Sequence, residues 1–416
     1  MVNLAWFFYL FCLTSGQYTN YYNPFYQWFL PQQTTVREVR QWPLLELALN
    51  PNNNGQGFGY YEPENAVPKE QFHVYWNVPT FQCHQYGLNF SEVRQWGIIE
   101  NENGNFRGNE IALLYDPGVF PALLRAGGGD FVKRNGGVPQ EGDLTQHMQT
   151  LEAHVVGKLI PDPAFSGLGI IDFEHWRPVF EENFGSLDEY RKLSRRIERG
   201  RHPLWTYSAV NQEASVRFEQ AAKDFMFSSL VLLRKLRPKA KWGYYGFPLC
   251  FNYTPRNQKP QCTPSVRDNN DRNHWLFSAS TSLYPSLYVK QANMTEFDRM
   301  RFMQGRLDET NRIKAGKPVY PFIWFKYFDN KDFLKDSDMI NALIIPKKMG
   351  TNGVIIWGSS HDVNTERKCR SLLSYLHNTL GPAVKTVRRT PKMYLDSLIS
   401  SSEFRPEPEY EVLSDW

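Results

Sequence analysis

Short apolar segments bounded by turn residues alternate with helical patterns along most of this chain, and that alternation restricts the fold more than any other feature. The segments are Phe72–Trp76, Ile111–Tyr115, Leu168–Glu174, Trp242–Phe247, Ser286–Val289, Val319–Tyr327 and Gly353–Trp357. Helical patterns run over Leu144–Ile160, Asn211–Leu236, Glu296–Ala315 and Asp336–Met349. The first carries Leu144, Met148, Leu151 and Val155 at spacings of three and four, the stripe of an amphipathic helix. Strand–helix alternation argues for an α/β fold with a parallel sheet, and about seven strands favour a (β/α) barrel over an open doubly wound sheet. No Gly-x-Gly-x-x-Gly follows the first strand, so no dinucleotide cofactor is expected.

Polar groups gather at the ends of these segments. Gly169-Ile170-Ile171-Asp172-Phe173-Glu174-His175-Trp176-Arg177-Pro178 is an apolar run ending in two carboxylates two residues apart. On a strand, Asp172 and Glu174 face one way while Ile171 and Phe173 pack behind. Like charges held that close do not both ionise freely, so one carboxyl stays protonated towards neutral pH, as a general acid requires. Tyr115-Asp116, Tyr245, Ser286 with Tyr288, and Trp357-Gly358-Ser359-Ser360 likewise sit at or beyond strand ends, which in a barrel form one mouth. For any one of them, satisfying a neighbouring loop is as ordinary a role as catalysis.

Leu4 to Leu13 is an apolar stretch too short to span a bilayer, and small residues follow it. This predicts a signal peptide over residues 1–16 and a secreted, extracellular product. Residues 17–67, rich in Tyr, Asn, Gln and Pro, read as a variable lead-in. Removing Cys12 leaves Cys83, Cys250, Cys262 and Cys369, an even number suited to an oxidising compartment. Of three possible pairings, Cys250 with Cys262 and Cys83 with Cys369 is the simplest; the wide spacing argues against a metal site. Sequons at Asn89, Asn252 and Asn293 predict glycosylated surface loops. The net charge of +4 comes with no basic run or nucleic-acid motif, so nucleic acid is not an expected partner; no later run approaches transmembrane length, so neither is a membrane. Aromatic residues make up 15% of the chain, more than a core alone requires, and rings that stack on sugar faces are one explanation.

The chain resembles the hyaluronidase family of glycoside hydrolases (family 56), in its insect venom and salivary form. The resemblance is carried by Val74-Tyr75-Trp76-Asn77-Val78-Pro79-Thr80-Phe81, Tyr115-Asp116-Pro117-Gly118, Asn135-Gly136-Gly137-Val138-Pro139-Gln140, Ile171 to Pro178, Trp242-Gly243-Tyr244-Tyr245 and Ile355-Ile356-Trp357-Gly358-Ser359-Ser360, in family order. It implies a distorted TIM-like barrel as a single catalytic domain over residues 68–388, with residues 389–416 a polar, acidic tail. It also implies endo-cleavage of hyaluronan without a cofactor, and the disulfides Cys83–Cys369 and Cys250–Cys262. Glu174 matches the family's acid/base, and Asp172 matches the residue that positions the substrate's acetamido group, with Tyr288 assisting. Tyr115, Asp116, Arg177, Tyr245, Arg306, Trp357, Ser359 and Ser360 match groove positions, with Ser286 beside them. One departure is His361-Asp362, where the bee enzyme has two aspartates after the serine pair.

A retaining hydrolase with its own nucleophile needs carboxyls about 5 Å apart on opposite sides of the scissile bond. Acids at i and i+2 of one strand instead project from one wall, with α-carbons about 6.5 to 7 Å apart. Either a third carboxylate such as Asp116 or the substrate's N-acetyl oxygen must then attack. The expectation is substrate assistance, with Glu174 as acid/base, Asp172 orienting the amide, Tyr288 holding the acetamido group, Tyr245 hydrogen-bonding that group or the reacting ring, and Arg177 and Arg306 meeting hyaluronan carboxylates. A chondroitin-preferring hydrolase of the same fold and a non-catalytic glycan-binding protein are the alternatives, and a monomer is expected.

Overall fold

In the computed structural model, residues 72–126 and 130–398 are described; the expectations for residues 1–16 and 17–67, and for the tail beyond residue 398, lie outside them. Strands β1 (His73–Asn77), β2 (Ile99–Glu100), β3 (Ile111–Tyr115), β6 (Leu168–Asp172), β7 (Lys241–Tyr244), β8 (Phe322–Trp324) and β9 (Gly353–Trp357) pair in parallel, in the orders β2-β1-β9-β8 and β3-β6-β7. The short segment Leu283 to Ser286 joins the two sheets, with Tyr284 bridging Tyr245, Leu283 bridging Val319 and Ser286 bridging Phe322. On the other side, the Asn101 side chain closes the ring: its Nδ2 donates to the Ile111 carbonyl at 2.9 Å, and its Oδ1 accepts from the Glu110 and Ile111 amides. The result is the distorted barrel expected, with β4 (Ala122–Arg125) and β5 (Phe131–Arg134) forming an antiparallel hairpin after β3.

Side chains alternate across each strand, and the core divides accordingly. Tyr75, Ile111, Leu113, Leu168, Ile170, Tyr284, Phe322 and Ile355 fill the inside of the ring. Ala112, Leu114, Ile171 and Phe173 face outward against α1 (Leu144–His154) and α3 (Tyr207–Leu236), the latter lying antiparallel to α2 (Asp188–Arg201). Val74, Trp76, Val354 and Ile356 face the other way, towards α6 (Glu296–Ile313), α7 (Asp336–Lys348), α8 (Glu366–Tyr375) and α9 (Gly381–Arg389). The short helices α4 (Pro264–Arg272) and α5 (His274–Ala279) complete the described set. Gly169 is required for packing: a Cβ there would lie 2.6 Å from the buried Trp242 indole. At the start of α6, the Thr295 hydroxyl caps the Asp298 amide while the Asp298 carboxylate accepts from the Thr295 amide, a reciprocal cap. Such caps contribute about 1 kcal/mol.

Several boundaries differ from the sequence reading. The strand at Leu168 stops at Asp172, two residues before Glu174. Ser286–Val289 is not a regular strand: within it only Ser286 bridges a neighbour, the other bridging residues being Leu283 and Tyr284, and Pro285, which has no N–H, interrupts the ladder. Val319–Tyr327 keeps only Phe322–Trp324 as strand, directly after Pro321. The supposed tail at 389–416 is ordered at its start: a turn over Lys392–Leu398 buries Leu395 in the core. The disulfides Cys83–Cys369 and Cys250–Cys262 are both present. The first closes a loop of 286 residues, a constraint on the unfolded chain of roughly 5 kcal/mol by loop-entropy reasoning.

Candidate active site

The inward period of each strand carries on past the apolar layer into the mouth. Ile111 and Leu113 are followed two residues later by Tyr115, Leu168 and Ile170 by Asp172, Tyr284 by Ser286 and Tyr288, and Ile355 by Trp357. Sequence-distant polar and aromatic groups thereby form the next layer above the core.

Asp172 is buried and Glu174 lies at the exposed rim of the same space. Desolvation within the mouth raises the proton affinity of both carboxyls, and for Asp172, the more buried of the two, the neighbouring Glu174 charge raises it further. The Arg177 and His175 charges oppose the rise at Glu174. The two acids interact side chain to side chain and titrate as a pair that holds one proton above the usual carboxylate range.

Three tyrosines surround the pair, and burial raises all of their pKa values, so each keeps its phenol proton. Tyr245 donates to Ser286 Oγ at 3.2 Å and hydrogen-bonds Tyr288. Trp357 Nε1 donates to the Tyr115 hydroxyl at 2.9 Å. The Trp357 ring stacks on Tyr288 with centroids 5.6 Å apart and meets Trp324 edge-on at 5.2 Å. An aromatic floor of this kind suits the apolar face of a sugar ring.

Other expected groove residues are held by the protein. Asp116 is buried, with Arg134 donating to both carboxylate oxygens and His175 Nε2 3.2 Å from Oδ2. Burial alone would raise its pKa, but the His175 hydrogen bond and the Arg134 charge outweigh this and hold it at about 2. It is an anchor beneath the mouth rather than a groove wall. Arg306 donates to Asn252 Oδ1 and the Ser286 carbonyl and lies 4.2 Å over the Phe302 ring. Arg177 donates to the Glu182 carbonyl and lies 5.0 Å from the Phe184 ring and 4.9 Å from the Phe251 ring, which meet edge-on. Ser359 donates to Asp362, a buried carboxylate that also accepts from Trp324 Nε1 and Lys326, while Ser360 is half-buried beside the exposed His361.

Asn89 and Asn293 are exposed, in keeping with their sequons. Asn252 is not a glycan acceptor in this fold: it is 1% exposed, and its Nδ2 is committed to the Pro260 and Phe302 carbonyls.

Sequence reasoning missed Arg134, His175, Trp324 and Lys331, whose Nζ lies 4.6 Å over the Trp324 ring. Arg134 directly precedes the Asn135-Gly136-Gly137 run, and His175 directly follows Glu174, so both stood beside motifs that were read.

The hyaluronidase model of glycoside hydrolase family 56 matches residues 61–401. The chain belongs to the hyaluronidase family. A hyaluronidase of Apis mellifera is 46% identical over 338 residues, covering 80% of this chain and 88% of the relative. One from Polistes annularis is 43% identical, covering 78% and 89%. The crystal structure of bee venom hyaluronidase in complex with a hyaluronic acid tetramer aligns with a TM-score of 0.74 at 46% identity, over 76% of this chain and 99% of that one. The hyaluronidase fold thus accounts for the ring of strands.

Proposed function

We propose that the chain is a secreted endo-β-N-acetylhexosaminidase that hydrolyses the β-1,4 linkages of hyaluronan with retention. The observation that carries the mechanism is the commitment of Asp116: the third acid of the mouth is buried and bound by Arg134 and His175. That leaves Asp172 and Glu174 on one wall and favours a nucleophile brought by the substrate, its N-acetyl oxygen.

Glu174 protonates the leaving glycosidic oxygen and then activates water. Asp172 accepts the acetamido N–H. An N–H donor favours the anionic form of Asp172, so substrate binding shifts the shared proton of the pair onto Glu174, where it is needed. Tyr288 and Tyr245, both protonated, hold the acetamido group, and Trp357 with Trp324 forms the sugar floor. Lys331, which donates to the Phe328 carbonyl and lies over the Trp324 ring, adds a third cation to Arg177 and Arg306 for meeting a uronate carboxylate.

The test is a hyaluronan zymogram and reducing-end assay comparing wild type with Glu174→Gln. Loss of about 100-fold or more is expected for removing a general acid. Equal clearing by both proteins sinks the role of Glu174, and clearing by neither favours a glycan-binding protein without hydrolysis. Product analysis on chondroitin in parallel separates the two polymers.

A further inference from the structure

The hairpin between α2 and α3 exposes apolar and cationic groups that the site does not use. Leu204 is 97% exposed, Tyr207 66% and Trp205 41%. Trp205 is held in place: one ring face lies on His202, with centroids 3.7 Å apart and planes within 8°. Beneath it, Arg199 donates to the Pro203 and Trp205 carbonyls, fixing the loop backbone. The ring therefore presents a flat surface that ordering on binding would cost little to use.

The adjacent cations fall into two groups. Arg191 and Lys192 pair with Asp188, Glu181 and Glu189, and Arg201 pairs with Glu141 and Glu198. Arg195 and Arg199 instead use neutral acceptors, the Asn211 amide oxygen and the loop carbonyls, and Arg196 is exposed. Among the described residues, none of Arg195, Arg196 and Arg199 has a carboxylate partner. Three uncompensated guanidiniums lie within about one helical turn, next to an ordered tryptophan.

The hairpin stands at the mouth end of the barrel. Leu236, the last residue of α3, leads into the start of β7 at Lys241, so α3 runs back from the end where the strands finish. Arg201 and Arg217 also pair with Glu141, on the connection after β3 and its hairpin.

We infer that Arg195, Arg196, Arg199 and Trp205 form a second binding surface, outside the cleft, for a polyanionic glycan chain. Guanidinium binds carboxylate bidentately and indole stacks on sugar rings, so this pairing suits a carboxylated polysaccharide. A lipid surface fits less well, because three apolar side chains on a loop tip give little area to bury. The inference rests on the hydrolase reading for its occupant, the same polymer that enters the cleft.

The experiment compares Arg195→Gln/Arg196→Gln and, separately, Trp205→Ala with wild type, on high-mass hyaluronan and on a short hyaluronan oligosaccharide. Arg199 is left intact because it braces the loop. For the double variant, KM on the polymer should rise about fivefold at low salt, with the difference fading at high salt. Cleavage of the oligosaccharide and the melting temperature should match wild type. An unchanged polymer KM, or equal losses on polymer and oligosaccharide, would overturn the second surface while leaving the hydrolase reading standing. Weakened co-sedimentation with phosphatidylserine vesicles at unchanged polymer KM would assign the hairpin to lipid instead. A wild type inert on both substrates would overturn both readings.

Discussion

Trp357 Nε1 donates to the Tyr115 hydroxyl across 2.9 Å, linking β9 to β3 over the barrel mouth although 242 residues separate them. The bond fixes the orientation of the ring that stacks on Tyr288.

Trp357→Phe removes the donor and shrinks the floor while keeping an aromatic ring. We expect KM for hyaluronan to rise about tenfold with a smaller change in kcat, from the loss of one hydrogen bond and part of a stacking surface. Steady-state kinetics checks this, and a fall in kcat alone would mean that Trp357 acts on the reacting groups rather than on binding.

The Asp116 anchor predicts an acid-dependent stability. Its pKa is depressed from 3.8 to about 2, so its contribution is present above about pH 4 and is lost as pH falls through 2. The linkage amounts to roughly 2 kcal/mol. In urea unfolding between pH 5 and 2, Asp116→Asn should be less stable than wild type at pH 5 and show a shallower loss on acidification. Parallel curves would mean that the Arg134 and His175 contacts contribute nothing differential.

His147 predicts a second, separate pH window. It is fully buried; Nδ1 accepts from the Val119 amide at 3.1 Å, so Nε2 carries the proton and donates to Ser229 Oγ at 2.8 Å. Burial lowers its pKa from 6.5 to about 3, against a partial opposing pull from Asp116. The unfolded chain takes up this proton below pH 6.5 and the folded one does not, so stability is complete above 6.5. It then falls by about 1.4 kcal/mol per pH unit towards 3. His147→Gln should flatten the curve between pH 6.5 and 4, whatever its effect at pH 8; an unchanged slope there would place the acid sensitivity elsewhere.

What the sequence disclosed follows from how local each signal is. Strands β1, β3, β6, β7 and β9 are apolar runs between turns, and helices α1, α3, α6 and α7 have clear periodicity, so the barrel was legible. Strand β2 spans only Ile99–Glu100 and has no period to detect. Helix α2 was missed because charge dominates it, although Tyr190 and Leu193 at three-residue spacing mark its buried side. The inward faces of Tyr115, Asp172 and Trp357 could be read from strand alternation alone. The employment of Arg177, Arg306 and Asp116 could not: a sequence displays their charges, but the Phe184 and Phe251 rings, the Asn252 amide and the Arg134 fork arise only when distant segments meet.

Proton NMR of the first reducing ends released from hyaluronan tests the same-wall arrangement of Asp172 and Glu174 most directly. Early spectra should show the β-anomer, which then mutarotates, because attack by the substrate's own acetamido oxygen followed by water retains configuration. Initial appearance of the α-anomer would require a water attacking opposite the leaving group, with a second carboxylate across the bond to activate it, and would contradict the mechanism.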